Sequence, residues 1–441
     1  FIFLLIFLVY SMPGHAGDII ETPLEKKQYS DLTSYIEMMN YLKLLDQGSR
    51  VFNMEIIGQS VEGRDIPALY FTLDKKFGSK RDVKPLVLIF CQQHGDEPSG
   101  KEAALFLARK LSGSGNKLLE KLDLILVPQV NPDGAEKNQR RNANEMDLNR
   151  NHIILSEPET RAIHDIFLKW MPDVTLDVHE YGSVSKTWIS HGFIKDADEQ
   201  FGKLSNINIS ENILRFSRDI ILPAVGNRVK NDGFTFHEYV VGTPFAESRL
   251  RYSTTAINDG RQSLGIFNTL SFILEGKQYG DVITHIKQRT EGQLSAITAF
   301  LLTVSEHNRE IIEIVTSARK NLVEDNSGRA FIQMDYYPDS SQMEIVFPVF
   351  NLETWKREEK TLKNFHSQVK VRKSIEKPRF YMIPGSEKTL LDILSRHQIK
   401  MRTIEKDTIL EVESYKILHV TSFIEEELEV PYVDIMTEMV S

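Results

Sequence analysis

PLVLIFCQQHGDEPSGKEAALFLARKLS, residues 85–112, is the stretch that decides the fold. Leu86 to Cys91 form an unbroken apolar run, the mark of a strand buried on both faces, and Lys101 to Leu111 place apolar residues at helical spacing. The turn between them holds His94, Asp96 and Glu97. Strand, tight turn and helix make the unit of an open α/β sheet, in which ligands bind beyond the carboxyl ends of the strands. Position alone therefore makes His94 and Glu97 candidates for a site.

Working outward, residues 30–47 have helical periodicity, and VFNMEIIGQ and DIPALYFTL alternate like paired strands around the turn SVEGR. The strand DLILVPQV leads into the turn NPDG, and the helix EPETRAIHDIFLKW into the strand DVTLDV, which is expected to stop at His179. After a long polar stretch, 182–263, a strand in NTLSFILE ends at Glu275, and helices fill 285–322. Repetition of these units predicts an α/β fold, a mostly parallel mixed sheet with helices on both faces. From about residue 326 the texture changes to short alternating strands (GRAFIQMDYY, QMEIVFPVF, FHSQVKVRKSI), which predicts a small β-rich C-terminal domain over 326–441 after the main α/β domain over 17–325.

Composition sets bounds on function. With 41% hydrophobic and 26% charged residues the chain has the make-up of a globular protein with sizeable cores. A formal net charge of -9 and the lack of a basic block argue against nucleic acid as a partner, since affinity there comes from lysine and arginine on phosphates. FIFLLIFLVYSMPGHAG opens with about ten apolar residues, then Pro13 and small residues, the layout of a signal peptide over 1–16, cut short at its start, with cleavage after Ala16. The run is shorter than the roughly 20 residues a spanning helix needs. The expectation is an exported protein, periplasmic or extracellular, with no stable membrane span after cleavage. Its single cysteine, Cys91, allows no internal disulfide and reads as a small buried hydrophobe.

Strands far apart in sequence thus deliver His94, Glu97, His179 and Glu275 to one edge of the sheet. Each has an ordinary structural reading alone: a satisfied core histidine, a carboxylate in a helix's first turn, a buried ion-pair partner. Their convergence does not. Two histidines and a glutamate make a catalytic zinc set, in which three ligands hold the ion and a fourth position keeps a water. Glu275 is then left to take a proton from that water.

The motifs around these residues resemble those of the zinc metallocarboxypeptidases of the M14 type, over most of residues 30–320. IGQSVEGRDI is similar to the family's Gly-x-Ser-x-x-Gly-Arg hairpin, HGDE to its His-x-x-Glu, and VNPDG to its Asn-Pro-Asp-Gly turn. RRNANEMDLNRN, DVHEY and SFILEG match its arginine-rich stretch, second-histidine strand and catalytic-glutamate strand, in the right order. The resemblance implies a carboxypeptidase-like fold and one zinc per chain on His94, Glu97 and His179, with Glu275 as general base and later proton donor. It implies Arg140 as the stabiliser of the oxyanion, Asn149 and Arg150 as the holders of a substrate's terminal carboxylate, and Tyr252 as a substrate contact.

The interval from Glu97 to His179 is shorter than in the digestive carboxypeptidases and suits the bacterial branch, some of whose members carry an extra C-terminal domain. Glu145 replaces a glycine, which predicts a differently shaped loop, and Asp259 falls in the stretch where a specificity pocket would form. The expected activity is removal of C-terminal residues from peptides bearing a free carboxylate, cell-wall peptides among them. The alternatives are a zinc amide deacylase acting on N-acyl amino acids and an inactive zinc- or peptide-binding module. Retention of both Glu275 and Arg140 argues against the inactive module, which needs neither.

Overall fold

The computed structural model describes residues 20–113, 116–245, 249–324, 328–423 and 432–440; the expected signal segment, 1–16, lies outside them. Eight strands form the main sheet: β1 (Phe52–Gln59), β2 (Asp65–Phe71), β3 (Leu86–Cys91), β4 (Asp123–Val127), β5 (Val174–Gly182), β6 (Glu199–Gly202), β7 (Phe236–Glu238) and β8 (Leu270–Gln278). Their order across the sheet is β1-β2-β4-β3-β5-β8-β6-β7. The central four, β4, β3, β5 and β8, run parallel. β1 and β2 join one side and β6 the other as antiparallel neighbours, so the sheet is mixed, as expected.

Alternation along the strands divides the core into two layers. Val87, Ile89 and Cys91 of β3, with Val174, Leu176 and Val178 of β5 and Leu270, Phe272 and Leu274 of β8, face the helices Tyr35–Gly48, Ser99–Ser112 and Ile286–Glu306. Leu86, Leu88 and Phe90 face the helix Pro158–Trp170 on the other side. On that second face β5 and β8 place Asp177, His179 and Glu275 at the alternate positions. Apolar burial on one face thereby aims all three toward the other.

Two expected boundaries are corrected. β5 does not stop at His179, nor β8 at Glu275; both strands continue, to Gly182 and Gln278. The reason is pairing: Glu275 lies directly opposite His179, and the parallel ladder runs on through Gly276–Glu180 to Gln278–Gly182.

Beyond residue 328, Arg329–Tyr337 pairs with Gln368–Glu376, and Ser414–Phe423 with Tyr432–Val440. Ile345–Asn351 pairs with Phe193–Lys195, and Phe365–His366 with Leu250–Tyr252. Phe347, Val349, Leu362 and Phe365 share a small core with Trp188, Val240 and Leu250. Among the described residues no helix is long and apolar enough to cross a membrane.

Candidate active site

The turn that carries His94 and Glu97 is held by the motifs beside it. Asn131 is central: its Nδ2 donates to the Gln93 carbonyl (3.0 Å) and its Oδ1 accepts from Gly134 N (2.9 Å). Gly95 packs so tightly here that a Cβ on it would fall 2.1 Å from the Gly134 carbonyl carbon. Only glycine fits. Asp133 in turn anchors the hairpin, accepting from Ser60 Oγ (2.7 Å), Glu62 N (2.8 Å) and Arg64 Nη1 (2.6 Å). Glu145, where a differently shaped loop was expected, takes φ 59°, the left-handed conformation that glycine favours.

His94, Glu97 and His179 are buried, and one ligand atom from each lies within 4.8 Å of the others. His94 Nδ1 is 2.8 Å from Glu97 Oε1 and His179 Nδ1 is 2.9 Å from Glu97 Oε2, while the two Nδ1 atoms lie 3.1 Å apart. The opposite nitrogens face carboxylates: His94 Nε2 is 3.1 Å from Asp147 Oδ1 and His179 Nε2 is 2.8 Å from Asp177 Oδ1. Such pairing assigns the proton to Nε2 and leaves a lone pair on each Nδ1. Two lone pairs and a carboxylate then converge on one small space, where they repel unless a cation lies among them. The donor set, two nitrogens and one oxygen, is that of a catalytic zinc site.

Burial acts to raise the Glu97 carboxyl, but His94 and His179, when positively charged, outweigh it and hold Glu97 well below the usual carboxylate range; a cation among the three side chains acts on Glu97 in the same sense. Asp147, also raised by burial alone, is held low by His94 and Arg140. Glu180 N donates to Glu97 Oε2 (3.0 Å), and the Glu180 side chain accepts from Ser99 N (3.0 Å) at the start of the helix Ser99–Ser112. Strand β5 is thereby clamped to the turn.

His94 and Glu97 open on a cavity of about 320 Å³ whose walls include Arg140, Asn149, Arg150, Tyr239, Asp259 and Glu275. Burial raises the Glu275 carboxyl, and Glu97 adds to the effect; His179 and a hydrogen bond from Tyr239 oppose it without cancelling it. Arg140 Nη1 lies 3.1 Å from His94 Nδ1 and 3.3 Å from Glu97 Oε1, while its Nε holds Asp147 at 3.0 Å. Asn149 Oδ1 accepts from Gly260 N (2.8 Å) and its Nδ2 is 3.2 Å from His179 Nε2. Asp259 caps the helix Gly260–Gly265 through Gln262 N (2.6 Å) and meets Arg261 Nη2 at 3.2 Å. A larger cavity, about 550 Å³, lies along Arg329–Tyr337, and none of the metal triad or Glu275 lines it.

Tyr252 does not line this cavity. Its ring meets Phe365 edge-on at 4.9 Å and carries Lys203 Nζ 4.2 Å above it, and its hydroxyl points to Gln342. Pairing of Leu250–Tyr252 with Phe365–His366 turns the side chain into the small core there. Tyr239 stands at the cavity instead. It escaped notice because no motif surrounds it. Asp147 and Asp177 escaped too, though both lie two residues from a residue that was singled out, and the spacing Asp-x-His was a usable signal.

The zinc carboxypeptidase family model matches residues 38–210, a span that contains the metal triad, Arg140, Asn149 and Arg150 and ends before Glu275. Carboxypeptidase 2 of Trichophyton tonsurans is 26% identical over 377 residues, covering 82% of this chain and 68% of that protein. Carboxypeptidase 2 of Trichophyton rubrum is 28% identical over 278 residues, covering 60% and 52%. Among solved structures, a metallo-carboxypeptidase from Burkholderia cenocepacia aligns over 63% of this chain and 71% of that one, with 20% identity and a TM-score of 0.49.

Proposed function

We propose that the chain, whose residues 38–210 match the zinc carboxypeptidase family model, is a zinc carboxypeptidase that removes C-terminal residues from peptides at the cavity beside His94, Glu97 and His179, with one zinc ion per chain held by those three. The observation that carries this reading is the convergence of two histidine lone pairs and a carboxylate, each histidine backed by an aspartate, with Glu275 in register beside His179.

His94, Glu97 and His179 would hold a zinc ion whose Lewis acidity would serve to polarise a carbonyl and to lower the pKa of bound water to about 7. Glu275, whose burial raises its proton affinity, takes the proton of the attacking water and returns it to the departing amine. Arg140 lies against His94 and Glu97 with its guanidinium at the cavity wall, in place to donate to the developing oxyanion. Arg150 offers the planar fork suited to a substrate's terminal carboxylate, with Asn149 beside it. The apolar, proline-broken segment at residues 1–16 supports an exported protein, and the lone, buried Cys91 fits a fold that relies on its core rather than on disulfides.

Metal analysis of purified protein tests the site. About one zinc per chain is expected, and His94→Ala or His179→Ala should largely abolish binding, because two remaining ligands hold the ion too weakly. Full occupancy in both variants would place the metal elsewhere.

A further inference from the structure

Behind the metal triad runs a second line of buried polar side chains that the reaction as described does not use. Asp177, fully buried, faces His179 Nε2 at 2.8 Å and accepts from Gln93 Nε2 through both carboxylate oxygens, each at 2.9 Å. Only the amide nitrogen of Gln93 can face a carboxylate in this way, so its Oε1 must accept. It does so from His152 Nε2, 2.9 Å away. His152 Nδ1 is then a bare acceptor, and His164 Nε2 lies 3.0 Å from it as the donor. His164 Nδ1 closes the line, buried and with no hydrogen-bond partner among the described residues.

Each assignment forces the next, and the result has a direction: every N–H in the line points toward Asp177. Burial holds both rings neutral, lowering His152 well below its ordinary value and His164 to about 3. Each can therefore give one proton and take one, as the line requires. A carboxyl buried without such donors would be free to turn away from the histidine in front of it; aligned donors polarise one another and fix its orientation. The space is filled to the same end, since a Cβ on Gly260 would meet Asp177 Oδ2 at 2.6 Å and Gln93 Nε2 at 2.9 Å.

We propose that Gln93 and His152, backed by His164, are positioning residues for zinc, a hydrogen-bonded line that orients the Asp177 carboxyl against His179 Nε2 and so holds His179 in the tautomer that presents Nδ1 to the metal. None of the three touches the substrate or the ion. The inference rests on the metal site proposed above.

The test is the zinc dissociation constant of the full chain, measured by competition with a chromophoric chelator, for His152→Phe in the parent and in an Asp177→Asn background. In the parent, His152→Phe should weaken zinc by about ten- to a hundredfold, the usual effect of losing an outer partner of a ligating histidine. In the Asp177→Asn background the same substitution should change the constant by less than about threefold, because no carboxyl remains for the line to orient against His179. Equal effects in the two backgrounds, or an effect under about threefold in the parent, overturn the proposal. If His152→Phe does not fold, Gln93→Glu keeps the shape and sets a second acid against Asp177; it should weaken zinc at least about tenfold, and an unchanged constant overturns the proposal equally. A parent that binds no zinc, or a His179→Ala variant that binds as tightly as the parent, refutes the metal site itself, and this inference falls with it.

Discussion

Removing Arg289 should destabilise the fold by about 3 to 5 kcal/mol, the range for breaking one side of a buried ion pair. The side chains of Arg289 and Glu180 are 2% and 0% exposed, and Arg289 Nε donates to Glu180 Oε1 at 2.8 Å. Nη2 lies 2.7 Å from the same oxygen but is not aligned as a hydrogen bond, so Coulomb attraction is its main contribution. Arg289→Met leaves Glu180 with the Ser99 N–H as its remaining partner from the clamp. Burial already raises the Glu180 carboxyl despite Arg289, so the orphaned acid relieves part of the cost by taking up a proton. The lower end, about 3 kcal/mol, is therefore expected near neutral pH. The matching arm is Arg289→Met with Glu180→Gln, which keeps an acceptor for Ser99 N while removing the charge. It should recover the part of the loss due to the buried charge, since a buried pair replaced on both sides is often close to neutral, while the Asp281, Val282 and Thr284 carbonyls still lack the Arg289 Nη1 donor. Urea unfolding of the zinc-free protein, followed by circular dichroism, separates the effect from metal linkage. A loss below about 1 kcal/mol for Arg289→Met, or a double variant no more stable than the single one, would refute the reasoning.

Two further outcomes are expected. Glu275→Gln keeps the shape of the base without its chemistry, so zinc content should be unchanged while turnover falls about a hundredfold or more; turnover near the parent's rules out Glu275 as base. Glu199 is buried, its Oε2 has no hydrogen-bond partner among the described residues, and burial, with Asp198 and Glu180 nearby, raises its carboxyl well above the ordinary value. The stability this proton provides is full below the unfolded carboxyl range, about 4.3, and is lost as pH rises through the folded value. Glu199→Gln should therefore raise the thermal midpoint at pH 8 and leave it nearly unchanged at pH 4; the same difference at both pH values contradicts this.

How much of this was legible in the sequence follows from which contacts leave a periodic or local mark. The buried strand at Leu86–Cys91, the helix at Ser99–Ser112 and the hairpin around Gly63 are written in short-range pattern, and the structure has them where the pattern puts them. The convergence of His94, Glu97 and His179 was legible because two histidines and a glutamate near the carboxyl halves of neighbouring parallel strands fall on one edge of the sheet. The far ends of β5 and β8 were not, because a ladder can continue through polar residues when its neighbour supplies the hydrogen bonds. Asp177, Gln93 and His152 depend on side-chain orientation across three segments, which spacing does not encode. Tyr239 and Tyr252 illustrate the same limit: a count back from Glu275 finds a tyrosine but not the direction of its ring, which is fixed by pairing with a strand more than a hundred residues later.

The central claim, hydrolysis at a free C-terminus, is tested most directly by comparing kcat/KM for one peptide as its free acid and as its C-terminal amide, using zinc-loaded protein. If Arg150 meets the terminal carboxylate, the amide leaves that guanidinium without its charged partner at a cost of about 2 to 5 kcal/mol. The free acid should then be cleaved on the order of 30-fold to several thousandfold faster, and Arg150→Ala should lose most of that preference. Equal cleavage of acid and amide would contradict the account.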